Sequence, residues 1–265
     1  MRRLLLIALI VCGVARADEM TPQRQREVLR DALGAFDEAV GVTRRDPDAA
    51  AELYRRSAAG FEALTAAGLR NAAIEYNLGN TYFRLDQLGR AVVHYHRALR
   101  LDPADKKLLA NLAYARRQVE PLIRPTGQER LWQRLLFWHY RASPATRFWV
   151  ATLLSALGWL LLILRLRWHV RSLLAAGVIA VVLGLAAGTS VVWQATDEAK
   201  CPYAVIVGDD CTLRLGRGEG YDPALKQPLG PGVELRILQQ RGDWIEVSLP
   251  NDQTGWLPES VVQRV

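Results

Sequence analysis

With 265 residues, half of them hydrophobic, the chain has room for one or two small soluble domains besides a membrane anchor. The net charge of +7 is localised, since residues 125–171 hold seven arginines against the single acid Glu129. That places the charge on the flanks of apolar segments, where anionic lipid headgroups would meet it; no folded domain carries the basic stripe of a nucleic-acid binder, so nucleic acid is excluded as a partner.

Met1-Arg2-Arg3 is a charged start, 4–14 a short apolar run, and Ala15-Arg16-Ala17 has the form of a cleavage site. Residues 1–17 therefore read as a secretory signal peptide cut before Asp18, with a retained anchor as the alternative. Cys12 lies in the run, but Val11 is not the small residue that a lipoprotein signal needs before its cysteine.

Residues 18–122 are rich in Ala, Leu, Arg and Glu at helical spacing. Stop signals at Asp46-Pro47, Gly68 with Asn71, 87–89 and Asp102-Pro103 divide them into helices at 22–45, 47–67, 71–85, 88–101 and 104–119. In the frame 72–105, Leu78-Gly79, Tyr82, Ala91, Tyr95, Ala98 and Pro103 sit at the spacing of the tetratricopeptide (TPR) consensus. Gly79 and Ala91 are small where two helices cross, Tyr82 and Tyr95 fill the space between them, and Glu75 stands where the consensus has tryptophan. The resemblance implies a short helical solenoid that binds peptides on its concave face. By the repeat frame that face carries Tyr76, Asn77, Asn80, Phe83 and Arg84, continued by Lys107, Asn111 and Tyr114. The asparagines could hold an extended peptide, with Arg84 or Lys107 taking a carboxylate, or they could tie neighbouring helices together. His94 and His96 are two apart, point to different sides of a helix, and read as surface residues without a metal.

Residues 123–147 read as an amphipathic linker. Leu131, Trp132, Leu135, Leu136 and Trp138 fall largely on one face, with Arg130, Gln133, Arg134 and Arg141 around it, as suits a headgroup layer; a last soluble helix is the alternative. The segment 148–193 then holds two charge-free apolar runs, 148–164 and 172–193, joined by a basic loop. At about 1.5 Å of rise per residue each can cross a hydrocarbon core of about 30 Å, forming a two-span transmembrane hairpin. An exported amino-terminal module puts this loop in the cytoplasm and both termini in the periplasm, at a bacterial inner membrane. Arg165, Arg167 and Arg171 in the loop agree with the positive-inside rule. The arginines at 130, 134, 141 and 147 count for the inverted topology, and Asp197 and Glu198 against it. Gly184 and Gly188 form a small-xxx-small pair, with room at Ser155 and Gly158, suited to packing of the spans.

From 194 to 265 the pattern changes to short alternating runs: 204–207, 211–215, 233–238, 244–249 and 255–257 read as strands of a small barrel. In 233–238, Val233, Leu235 and Ile237 face inward while Glu234 and Arg236 face water. Gly242-Asp243-Trp244 and Gly255-Trp256-Leu257-Pro258 resemble the signature of bacterial SH3-type domains. Tyr221, Trp244 and Trp256 then form an aromatic cleft for a protein or cell-wall peptide, or one or both tryptophans cover the core. Cys201 and Cys211 are the cysteines left after signal removal, and an oxidising compartment permits a disulfide between them.

The order of segments, with the stretch 75–85 and Asn111-Leu112-Ala113, resembles BatE-type proteins of the Bacteroides aerotolerance group. The resemblance implies a non-enzymatic envelope protein without cofactors. It also implies an association with von Willebrand factor A-domain membrane proteins and a MoxR-type ATPase in oxidative or envelope stress. The fold expectation is thus multidomain: an α-helical TPR solenoid, a two-helix transmembrane hairpin and a small all-β SH3-like barrel. No nucleophile–base pair, acidic dyad or metal cluster is apparent in the sequence, so no catalytic residue is assigned. The functional expectation is a membrane-anchored scaffold, and the alternative a peptidoglycan-binding or sensing protein.

Overall fold

The computed structural model describes residues 20–127, 131, 136, 138 and 142–265. The expected signal peptide, and residues 128–130, 132–135, 137 and 139–141 of the expected interfacial linker, lie outside the described residues.

Five antiparallel helices build the amino-terminal layer: α1 (Pro22–Val42), α2 (Pro47–Ala66), α3 (Ala72–Arg84), α4 (Leu88–Leu101) and α5 (Lys106–Arg116). Local chemistry sets their starts. Thr21, Asp46, Asn71 and Asp105 each accept a hydrogen bond from a backbone N–H in the first turn, and Pro22 and Pro47 take first-turn positions where no N–H is needed. Phe61, Leu64, Leu78, Tyr82, Tyr95, Leu108 and Leu112 fill one continuous core. A Cβ on Gly79 would stand 2.5 Å from the Tyr95 ring, so this crossing of α3 and α4 excludes every side chain.

Two long helices follow, α6 (Pro144–Trp168) and α7 (Arg171–Lys200), both long and apolar enough to cross a membrane. They run further than the apolar runs, leaving only His169 and Val170 between them, with His169 in the left-handed conformation that ends α6. Arg165 and Arg167 therefore lie in the last turn of α6, where a cation complements the helix dipole. The helices pack closely at Gly158 against Val181 and Gly177, and at Gly184 against Ser155. Gly188 meets only the Ala151 Cβ at 3.9 Å. The tight pair on α7 is thus Gly177 and Gly184, seven apart, and not the expected 184/188 pair. Arg147, just inside α6, is buried. Its guanidinium donates to Ser190 Oγ at 2.6 Å and to Gln194 Oε1.

The carboxy-terminal segment forms a five-stranded antiparallel sheet of order β4-β3-β2-β1-β5: β1 (Tyr203–Ile206), β2 (Glu234–Arg241), β3 (Trp244–Ser248), β4 (Thr254–Pro258) and β5 (Val262–Arg264). The sheet is open, with β4 and β5 as its edges, and does not close as a barrel. The segment 211–215, expected as a strand, makes only single bridges, Cys211 with Leu229 and Arg214 with Pro223 and Trp256. Each bridge is antiparallel, but none continues into a ladder. Strand β2 bulges between Ile237 and Gln239, where one residue is left out of the ladder.

Helices and sheet are packed together through β1. Ala204 and Ile206 enter the sheet's own core, while Val205 belongs to the helical core beside α4. Both faces of this strand are covered, which is why its residues are apolar without alternation. The approach is close: a Cβ on Gly89, at the start of α4, would collide with the Ile206 carbonyl and lie 2.8 Å from the Val207 Cα. Beyond α5, the Gly230 N–H donates to the Glu120 carbonyl at 2.9 Å, and Val119 joins the sheet's core.

Candidate functional site

Helices α3 and α5 bring the expected concave-face residues together, but the asparagines are used internally. Asn111 Nδ2 donates to the Tyr76 hydroxyl at 3.0 Å and to Asn80 Oδ1 at 2.9 Å, and the Tyr95 hydroxyl donates to the same Oδ1 at 2.9 Å. Asn80 and Asn111 therefore cross-tie α3, α4 and α5, as the second reading of the sequence allowed. What the face offers outward is a ring pair, Phe83 and Tyr114 with centroids 5.6 Å apart, and the exposed cations Arg84 and Lys107. Asn77 is half-buried, and its carbonyl accepts from Thr81 Oγ1 at 2.7 Å. At the amino-terminal end of the same face, Asn71, Tyr76, Asp102, Asp105 and Leu108 border a cavity of about 300 Å³.

The consensus departure at Glu75 has a structural answer. Glu75 is buried and its carboxyl accepts a 2.7 Å hydrogen bond from Nδ1 of His94, which is also buried. A polar group at a position built for tryptophan requires such a partner. The expectation that His94 lies on the surface is corrected here, because α3 covers one side of α4 and β1 another. Tyr82 packs on the His94 ring at 5.3 Å and donates to Glu62 Oε1. Burial and then the Glu62 bond push the Tyr82 phenol up to about 12. Arg90 lies over the Tyr82 ring at 5.4 Å. Together with Val207, Ser260, Val262 and Gln263, these groups line a cavity of about 370 Å³ between helices and sheet.

A second polar centre joins the two layers. Glu234, expected to face water, accepts from Arg116 Nε at 2.6 Å and Nη2 at 2.9 Å and from the Tyr203 hydroxyl at 2.7 Å, and His96 Nε2 stands 3.2 Å away. His96 is thus half-buried in the junction, not free on the surface. Burial raises the Glu234 carboxyl, but hydrogen bonds and charge from His96 and Arg116 outweigh it and hold the group well below the carboxylate range. Burial, and then the Glu234 charge, push the Tyr203 phenol far up. Arg97 and Arg100 donate to the carbonyls of Arg264 and Val265 at 2.9 and 2.8 Å, which satisfies the outer edge of β5. Asp197 pairs with Arg236, and Glu198 lies 3.7 Å from Arg100, so the end of α7 is fastened to both layers.

On the sheet, Trp244 and Trp256 share the face opposite the core. Trp244 pairs with Pro258 and Trp256 with Glu246, which makes the two tryptophans diagonal neighbours. Arg217 stands over the Trp256 ring at 5.6 Å, and Arg214 Nη1 donates to the carbonyl of the exposed Tyr221 at 2.9 Å. Both tryptophans are half-buried, and the core beneath is filled by Ile245, Val247 and Leu257. Cys201 and Cys211 are free thiols, not a disulfide. Cys201 ends α7, whereas Cys211 lies buried under the sheet, where burial and then Asp209 and Asp210 raise its thiol to about 11.

Sequence reasoning passed over Glu62, Glu75, Arg90 and Glu234. The signal for Glu75 was present: a carboxyl on a buried helical stripe demands a partner, and His94 lies on the facing helix.

A family model described as a tetratricopeptide repeat matches residues 72–105. No curated protein matches the chain. The chain therefore contains a tetratricopeptide repeat, flanked by helices that extend its stack, together with two helices able to cross a membrane and a carboxy-terminal antiparallel sheet.

Proposed function

We propose that this chain is a non-enzymatic, membrane-anchored scaffold that presents its repeat and an SH3-like module to protein partners on the periplasmic side. The observation that carries this reading is the repeat itself: such repeats generally mediate protein–protein interaction, and the α3/α5 face keeps Arg84, Lys107, Phe83 and Tyr114 for a partner. The cations suit an acidic segment or a carboxylate terminus, with the ring pair beside them for an apolar residue. The resemblance to BatE-type proteins supports a place in an envelope or oxidative-stress complex, with von Willebrand factor A-domain membrane proteins and a MoxR-type ATPase as partners.

Affinity capture with the full chain in detergent tests the reading, comparing wild type with the charge reversals Arg84→Glu and Lys107→Glu. Loss of the same captured proteins in both variants, with unfolding midpoints unchanged, is the expected result. Identical capture by all three chains would overturn it. Alkaline phosphatase fusions within 165–171 and after Val265 test the topology, with activity expected only from the second.

A second reading, peptidoglycan binding, draws support from the exposed Tyr221 and from Arg217 standing over the Trp256 ring. Sedimentation of the full chain with purified peptidoglycan, with and without Trp256→Ala, separates the two.

A further inference from the structure

The 370 Å³ cavity between repeat and sheet lies apart from the α3/α5 face and from the aromatic face of the sheet, and the scaffold reading makes no use of it. Junctions between packed units are frequent sites for small ligands. Polar side chains converge here from both layers: Glu62 from α2, Tyr82 from α3, Arg90 and His94 from α4, and Ser260 and Gln263 from the end of the sheet.

Their polarities are not interchangeable. Tyr82 donates a hydrogen bond to Glu62, so the phenol itself is engaged. His94 is 6% exposed, and its Nδ1 is held by Glu75. The cavity thus offers a carboxylate at Glu62 and a fixed cation at Arg90. Ser260 and Gln263 can serve in either sense, and Val207 and Val262 give an apolar wall. A simple anion would meet the Glu62 carboxylate, and a simple cation would meet Arg90. A molecule carrying both charges meets each with its complement.

We propose that this cavity binds a small zwitterion of the α-amino-acid or dipeptide class. Its ammonium lies on Glu62, and its carboxylate lies on Arg90. Because the walls come from both layers, an occupant bridges repeat and sheet and stabilises their junction.

Calorimetric titration of the full chain in detergent near neutral pH, with each standard amino acid and with alanyl-alanine, tests this. At least one of these probes is expected to bind one-to-one. Its N-acetyl and carboxamide derivatives are each expected to bind about tenfold more weakly or worse, since each leaves a charged group unanswered. Arg90→Gln, a change at an exposed position, should make the acid and carboxamide forms bind alike. Ser260→Trp, at the exposed rim, should abolish binding without lowering the ligand-free unfolding midpoint. Failure of every probe to bind at about 10 mM would overturn the proposal, since that is weaker than any specific site of this size requires. So would binding that survives blocked termini, Arg90→Gln or Ser260→Trp unchanged.

Discussion

The Arg116 guanidinium reaches from α5 across to the Glu234 carboxylate at the head of β2 and makes two hydrogen bonds, at 2.6 and 2.9 Å. This is a fork-to-carboxylate pairing, strong for its geometry. It joins residues that the sequence assigns to separate modules, with the whole hairpin between them.

Stability should depend on that carboxylate with a definite sign. Glu234 is held below its ordinary value, so its contribution is complete above about pH 4.3 and fades as pH falls further. Glu234→Gln should cost about 2 kcal/mol at neutral pH, towards the low side for a buried pair because Arg116 is half exposed. Thermal unfolding in detergent at pH 7 and pH 3.5 should then separate the chains less at the lower pH. A gap that stays constant across this range would refute the role given to Glu234.

Two glycine-to-alanine changes should act in opposite directions. At Gly89 the new methyl group meets backbone of Ile206 and Val207, so the layers must part, at about 1–3 kcal/mol. At Gly34, within α1, nothing lies within 4 Å, and alanine should stabilise by about 0.5–1 kcal/mol. Denaturation midpoints of both variants check this. Equal effects would mean that the close approach at Gly89 carries no weight.

Glu75 and His94 should behave as one unit. His94→Leu leaves a buried carboxyl without its partner and should cost about 1–3 kcal/mol. Replacing both by leucine should recover much of that loss, because the polar demand disappears with the pair. A double-mutant cycle in which the two losses simply add would count against the pairing.

In the hairpin, Gly184→Val should disrupt packing and Gly188→Val should not. A Cβ at 184 stands 3.0 Å from the Ser155 backbone nitrogen and 3.1 Å from the Ala151 carbonyl, whereas one at 188 meets only the Ala151 Cβ, at an ordinary 3.9 Å. Cross-linking of cysteines placed across α6 and α7 reports the difference. Equal yields from the two variants would count against this packing.

The helices were legible because their punctuation is local: Asp46-Pro47 and Asn71 act within one turn of themselves. The long apolar helices were legible for the same reason. What escaped was whatever depends on contact between distant segments. Period-two alternation correctly separates Leu235 and Ile237 from Glu234, but it cannot say that the second face lies under a helix. Likewise, His94 and His96 do point to different sides of α4, yet each side is covered by something that only the fold supplies. Cys211 and Leu213 alternate like strand residues because both enter the core, although their segment makes only isolated antiparallel bridges. At the candidate site, residue types were legible and their obligations were not. Asn80 and Asn111 suit peptide binding in isolation, and their bond to each other appears only when α3 and α5 are adjacent.

Strand β1 is covered on both sides, and this bears on how the protein is made. The ribosome emits α4 long before β1, with two helices able to cross a membrane between them. Until the last strands arrive, α4 has no cover over the side that will meet Val205, and the newly made helices stand as an unfinished surface. A chain stopped after residue 200 should therefore be cut by protease within α4 or α5 where the full chain resists. Synthesis of the last strands would then act as a checkpoint in assembly, separating an exposed intermediate from the finished protein.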